Sequence, residues 1–428
     1  MGLSEKSKTW KTDFLQIIII FAISIFLRIP FMNRDIFTDE AFSYLYSLKP
    51  ISFIIKINDV HPPLYHLYLK PFSAILGNNI FLLRLSTLLL WICLFWAIYG
   101  LLMRLWNIKV AKYALLLISI SPTMIYYSTE LRMYAMGMLF VTLSFIALFN
   151  HLKKNNFKSS VYYAITILLM GLTHYLTFAV LPFQFAYIIY KRKHQNIIIP
   201  MSAAIFVVAL ALMSKLQYSS LHFVKPTLIS LISSYSFMWS YPNKNLGLVL
   251  IPLAILLFML LYYKIHITDE KALLFGSLYI VPILFFILSQ FFVIYHHRFF
   301  LFEAVGLYIF IAYAIYQIRI KTKEHIYYAI IGMFIVAAIF TIGCESSFIK
   351  HNQYDYLENV TDTTIIANNT FDFFTYRFYT EGHNVSVLLN TTLNRRELFS
   401  YGGNVLNVSD FYTINGQKYA VAGYVLIV

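Results

Sequence analysis

Residues 14–44 read FLQIIIIFAISIFLRIPFMNRDIFTDEAFSY, an apolar run followed at once by two adjacent carboxylates, Asp39 and Glu40. The run 14–32 is long enough to cross about 30 Å of hydrocarbon at about 1.5 Å per helical residue. Comparable runs follow at 80–103, 109–127, 130–151, 160–173, 175–190, 196–214, 247–263, 271–293, 298–318 and 326–344, which makes about eleven spans. A chain of 428 residues with 60% hydrophobic and 12% charged residues cannot hide so much apolar surface in one water-soluble core. The composition therefore predicts an all-α polytopic membrane protein over residues 1–345. Cys93 and Cys344 fall inside spans without ligand spacing and read as packing residues.

Basic clusters orient the spans. Lys6, Lys8 and Lys11 precede the first one, and further clusters stand at Arg104/Lys109/Lys112, Lys153/Lys154/Lys158, Lys191 to Lys193, Lys264/Lys271 and Arg319/Lys321/Lys323. Positive loops stay on the cytoplasmic side, so the amino terminus is expected inside and the tail 346–428 outside. The formal net charge of +14 follows from this bias, and nucleic acid is not needed as a partner to explain it. No small-residue cleavage site follows the first span, which is expected to remain as an anchor.

The segment HPPLYHLYLKPFSAILG, residues 61–77, is too short and too polar to span. Pro62 and Pro63 suit a helix start, and His66, Lys70 and Ser73 share one face, which predicts a helix lying in the outer interface. Residues 33–79 then form one long external loop with juxtamembrane helices, and long ordered loops usually carry function. With this topology Asp39, Glu40, His61, Arg84, Glu130, Arg132, His174, His222, His296, His297 and Arg298 all fall at the outer ends of spans or in outer loops. Ionisable groups beside the membrane are costly and mark sites, so the set points to a cavity open to the outside.

Four stretches, FTDEAFSY, HPPLYHLYL, LLRLST and SPTMIYYSTELRMYA, together resemble the GT-C superfamily of glycosyltransferases that use polyprenyl-phosphate sugars. The pattern is most similar to the protein O-mannosyltransferase and lipid A aminoarabinose transferase groups. It is strongest over residues 14–140, weaker at YHHRFF (295–300) and absent over 215–290. The resemblance implies transfer, with inversion, of a sugar from an undecaprenyl- or dolichyl-phosphate donor to an acceptor on the outer face. It places the catalytic aspartate at Asp39 with Glu40 beside it. Direct displacement needs a base for the acceptor proton, and two adjacent carboxylates can raise one another's pKa. The alternative is a carboxylate pair that caps the helix AFSYLYSL.

The leaving phosphate needs preorganised cations, and Arg298 with His296 and His297 is the candidate group. Similar enzymes carry a basic residue at a comparable late position, although several continue with a proline-containing pattern where this chain has LFEAVG. Glu130, Arg132 and Tyr134 form a second group: Glu130 and Arg132 either pair with each other or contact substrate, and Glu130 with Asp39 is the set for a divalent cation, Mg or Mn, if one is used. His61, Tyr65 and His174 are candidates for sugar or phosphate contacts, and Arg84 for anchoring the loop or snorkelling to lipid phosphate.

In the tail, TTIIAN, VSVLLN and KYAVAGYVLIV read as strands around the helical stretch FDFFTYRFYT, which predicts a small external α/β domain over 346–428. N-x-S/T sequons begin at Asn359, Asn368, Asn384, Asn390 and Asn407, in keeping with an external, prokaryotic cell-envelope setting where archaeal N-glycosylation operates. Neither a Walker loop nor zinc spacing is present. The expected partners are the membrane, a lipid-linked sugar donor and a lipid, glycan or protein acceptor. A lipid-linked glycan polymerase or ligase, or a transporter, is the alternative class.

Overall fold

A computed structural model describes residues 3–55, 61–193, 197–217, 225–240, 269–291, 297–321, 324–344, 363–367, 375–376, 378–379, 385–389, 407–414 and 417–423. The described part of the membrane region is almost entirely helical. Its amino-terminal half holds α1 (Leu3–Phe26), α2 (Ile29–Met32), α3 (Thr38–Ser47), α4 (Ile51–Ile55), α5 (Leu64–Leu76), α6 (Ile80–Leu105), α7 (Ile108–Ile120), α8 (Pro122–Tyr127) and α9 (Tyr134–Lys154). Then follow α10 (Phe157–Thr173), α11 (Leu181–Tyr190), α12 (Ile198–Gln217), α13 (Leu228–Ser240), α14 (Glu270–Ser277), α15 (Val281–Leu288), α16 (Leu301–Lys321) and α17 (Glu324–Cys344). Single 3₁₀ turns at Tyr175–Val180 and His297–Phe300 lead into α11 and α16.

Among the described residues five segments are long and apolar enough to cross a membrane: Thr12–Met32, Ile80–Leu105, Tyr134–Lys154, Glu270–Leu288 and Leu301–Ile320. The chain is thus an integral membrane protein of helical class. Phe157–Thr173, Tyr175–Tyr190 and Ile198–Leu210 are shorter apolar helices, and the span expected at 247–263 lies outside the described residues. One expected span, 109–127, is two helices. Ser121 turns to extended backbone (ψ 122°) and Pro122 starts α8, because proline suits a first helical turn and breaks an interior one. The break puts residues 128–133 into a turn, so α9 begins at Tyr134.

Side-chain caps fix the other joints. Asn79 accepts from the amide of Leu82 at the start of α6, and Asn107 accepts from those of Lys109 and Val110 at the start of α7. At the end of α9, Asn155 sits at φ 45°, a left-handed position that Asn tolerates. Helix α16 forms the centre of the bundle, packed on α7 and α9, while α6 packs on α7 and α9 and α10 lies against α9 and α12. Gly137 in α9 makes room for the Phe302 ring, which a Cβ at that position would strike.

Helix α5 exists where the sequence placed it, but its polar face turns onto the protein, with His66 and Ser73 buried and Lys70 partly so. It packs on α3: His66 stacks with Tyr46 at 4.5 Å between ring centroids, Ser73 accepts from the Ser47 hydroxyl at 2.7 Å, and Lys70 donates to the carbonyls of Ser47 and Lys49 at 3.2 and 2.7 Å. A lysine on the last carbonyls of α3 satisfies groups that no helix partner can and sits at the negative end of the helix. In the tail, four strands, β1 (Thr363–Ala367), β2 (Val385–Leu389), β3 (Asn407–Ile414) and β4 (Gln417–Gly423), form one sheet in the order β1-β2-β4-β3. Strands β1 and β2 run parallel, and β3 and β4 form an antiparallel hairpin.

Candidate active site

Helix α3 begins at Thr38, so Asp39 and Glu40 sit in its first turn, about 100° apart around the axis, and point to different surroundings. Glu40 turns inward and is fully buried. It accepts from Arg84 Nε at 3.0 Å and Nη2 at 2.7 Å, from the Leu131 amide at 2.7 Å and from the Phe37 amide at 3.0 Å, with Arg34 Nη2 at 3.8 Å. Burial pushes its carboxyl upward, but the guanidinium groups of Arg84 and Arg34 and the Leu131 amide outweigh burial and hold it at about 2. Glu40 is thus held low, against the raising expected of two adjacent carboxylates. Arg84, also fully buried, spends its other donors on the carbonyls of Met32, Arg34 and Asp35. Arg84 thus anchors the loop to α6 from within and does not reach toward lipid.

Asp39 is partly open, with 15% of its side chain exposed. Its Oδ2 accepts from Arg298 Nη1 at 2.9 Å, a contact across 259 residues, and the same guanidinium lies 5.7 Å from the Phe37 ring centre. Burial opposes the charge on Arg298, but Tyr134, Tyr127, Glu130 and Asp39 around it keep it charged. The neighbouring His297 donates or accepts at Ser234 Oγ, 2.8 Å away, and burial lowers its pKa. His222 and His296 lie outside the described residues.

The second motif closes the site. Arg132 Nη1 donates to Ser43 Oγ at 2.9 Å and to the Asp39 carbonyl at 3.3 Å, and its Nη2 meets His61 Nε2 at 3.0 Å. His61 faces His174 with ring centroids 5.4 Å apart, and His174 rests on Phe302 at 4.9 Å and caps its own turn through the Leu176 amide. Tyr134 meets Tyr127 edge-on at 4.8 Å. Glu130 is buried, and its Oε2 has no hydrogen-bond partner among the described residues. Burial raises its carboxyl most, Arg298 opposes and Glu40 adds to the rise, with a net value of about 7. The Tyr65 hydroxyl is also buried and without a partner among the described residues, and it feels the charges of Arg132, Glu40 and Glu130. Buried polar atoms are almost always hydrogen-bonded, so two without a partner among the described residues single out Glu130 and Tyr65 as candidate ligand contacts.

Among the described residues no group of three or more His, Cys, Asp or Glu converges as a metal site, and Asp39 faces Arg298. Two arginines escaped the sequence reading. Arg34 donates to Thr129 Oγ1 at 2.9 Å and stacks on Tyr126, and Arg28 donates to Ser24 and Ser128 while stacking 3.6 Å from the centre of Trp91. Each sits near the carboxyl-terminal end of the first apolar run, and an arginine there is a signal in itself.

Residues 60–218 match the family model for dolichyl-phosphate-mannose-protein mannosyltransferase, a stretch that includes HPPLYHLYL and STELRMYA. The fold is also similar to that of ArnT from Cupriavidus metallidurans bound to undecaprenyl phosphate, with a TM-score of 0.59 at 11% identity over 91% of this chain and 87% of that one. These likenesses are to glycosyltransferases, and what they share with this chain is the fold and the matched stretch 60–218. The apo structure of the same ArnT gives a TM-score of 0.55 at 11% identity, with 94% and 88% covered. The arabinosyltransferase EmbB from Mycobacterium smegmatis aligns over 70% of this chain at 14% identity and a TM-score of 0.46, and the chain spans 30% of EmbB's length. No curated protein matches the chain. At these identities the likeness to ArnT is one of fold, and the chemistry of this chain must be argued from its own site.

Proposed function

We propose that the protein is an inverting glycosyltransferase that moves a sugar from a polyprenyl-phosphate donor to an acceptor on the outer face of the membrane. The observation that carries this reading is the Asp39–Arg298 pair, a carboxylate and a guanidinium that are both partly open to solvent and held 2.9 Å apart across the fold. The phosphate of the donor competes with Asp39 for Arg298, since guanidinium holds phosphate oxygens bidentately. Asp39, released from the pair, takes the proton of the acceptor hydroxyl or amine. The acceptor atom forms the new bond to the anomeric carbon, the bond from that carbon to the phosphate oxygen breaks, and polyprenyl phosphate leaves with the electron pair. Arg298 meets the growing charge on the leaving phosphate.

The unfilled Oε2 of Glu130 and the Tyr65 hydroxyl take hydroxyl groups of the sugar, while His61 and Arg132 close the rim and Tyr134 and His174 pack behind. Glu40 is the structural centre of the loop and not a second reacting group. We further propose about eleven spans, with the amino terminus cytoplasmic, residues 1–345 as the membrane domain and 346–428 as a small external α/β domain. Purified protein in liposomes is to be offered a labelled sugar on polyprenyl phosphate or on a nucleoside diphosphate, with membrane lipid extract as acceptor source. Transfer from the lipid-linked donor alone supports the reading, and use of the nucleotide sugar refutes it.

A further inference from the structure

The tail returns to the loop that carries Asp39. Thr375, Phe378 and Tyr379 touch that loop at four points. The Ile36 amide donates to the Tyr379 hydroxyl at 3.2 Å, the hydroxyls of Thr38 and Thr375 lie 3.4 Å apart, and the Asn78 side-chain amide donates to the Phe378 carbonyl at 3.4 Å. The Phe378 ring meets Tyr44 edge-on with centroids 5.1 Å apart. Thr375, Phe378 and Tyr379 are all buried.

These contacts fall on the residues that set where α3 begins. Phe37 is extended (φ −86°, ψ 150°) and Thr38 is the first helical residue, so the positions of Ile36 and Thr38 fix the direction in which the Asp39 side chain leaves the helix. Phe37 is held by Glu40 and Arg298, Glu40 by Arg84, and the Asp39 carbonyl by Arg132. Ile36 and Thr38 are held from the tail. We propose that Tyr379 and Thr375 are positioning residues for Asp39, so that the tail clamps the start of α3 and keeps the carboxylate in reach of Arg298 and the acceptor. Neither residue touches reacting atoms; both act through Ile36 and Thr38. The inference rests on the transfer reading above. A reacting group displaced by about 1 Å loses up to about 10²-fold in rate, which is the scale on which such a clamp acts.

The test uses the full chain carrying Tyr379→Phe, Thr375→Val or Thr375→Ser, beside wild type and Asp39→Asn. Two readouts are taken on folded protein: kcat and donor KM in the transfer assay, and hydrogen exchange of the segment 33–44. Tyr379→Phe and Thr375→Val are expected to lower kcat roughly tenfold with donor KM unchanged, and to speed exchange at Ile36 and along the start of α3. Thr375→Ser, which keeps the hydroxyl, is expected to restore both. Normal kcat in Tyr379→Phe and Thr375→Val, with Asp39→Asn inactive, overturns the clamp and leaves the transfer reading intact. If wild type transfers nothing, that reading has failed, and exchange decides alone: unchanged exchange at Ile36 in Tyr379→Phe overturns the contact as well.

Discussion

At the scale of single residues, Asp39 and Glu40 stand next to each other and do opposite work. Both were legible in FTDEAFSY as a pair, but their separation was not, because it depends on which helical face meets Arg84 and which meets Arg298. Arg298 joins Asp39 across 259 residues, a meeting that spacing along the chain cannot give. Removing the charge of a fully buried, four-donor carboxylate leaves Arg84 uncompensated, so Glu40→Gln is expected to destabilise by about 3–5 kcal/mol. Asp39→Asn, partly open, is expected to leave the melting temperature within a few degrees of wild type, and thermal denaturation in detergent compares the two. Protonation adds a second check. The Glu40 carboxyl lies below its ordinary value of 4.5, at about 2, so its stabilisation is complete above 4.5 and is lost as pH falls toward 2. The Glu130 carboxyl lies above that value, at about 7, so its contribution is complete below 4.5 and is lost as pH rises through 7. In melting temperatures taken across pH, Glu130→Gln should flatten the decline between 4.5 and 7 and leave the acid limb untouched; an unchanged decline would contradict this assignment.

At the scale of elements, hydropathy and caps placed most helices, since a run of apolar residues between Asn caps has few alternatives. Two features ran against the pattern. Pro122 cut an apparent span in two, a break visible in the sequence once Ser121-Pro122 is taken as a helix start. The polar stripe of α5, His66, Lys70 and Ser73, looked like a solvent face and is instead the surface that grips α3, because the side chains, stacked and hydrogen-bonded to α3, are satisfied without water. Packing of α9 on α16 was not legible, since Gly137 carries no hydropathy signal, yet it is where the Phe302 ring approaches. Gly137→Val is expected to cost about 1–3 kcal/mol by forcing that ring and α16 aside. Because Phe302 also backs His174, transfer should fall along with the melting temperature; a full-strength, stable variant would show that the two helices are not held at this point.

At the scale of the whole molecule, the sequence carried the membrane class and the GT-C resemblance, while the return of the tail onto the Asp39 loop emerged only from the fold, through residues more than 300 positions apart in chain order. The proposed orientation puts that tail outside with Asp39, and Lys154 inside. In a background with Cys93 and Cys344 replaced by serine, a single cysteine at Asn390 is expected to react with a membrane-impermeant maleimide in intact cells, and one at Lys154 only after permeabilisation. The reverse pattern would turn the site to the cytoplasm. The central claim, that Asp39 is the base for transfer from a lipid-linked sugar, is tested most directly by following labelled sugar from polyprenyl phosphate to acceptor with wild type and Asp39→Asn at matched amounts of folded protein. The account predicts transfer by wild type and a loss of about 10²-fold or more in the variant; transfer at the wild-type rate by Asp39→Asn would contradict it.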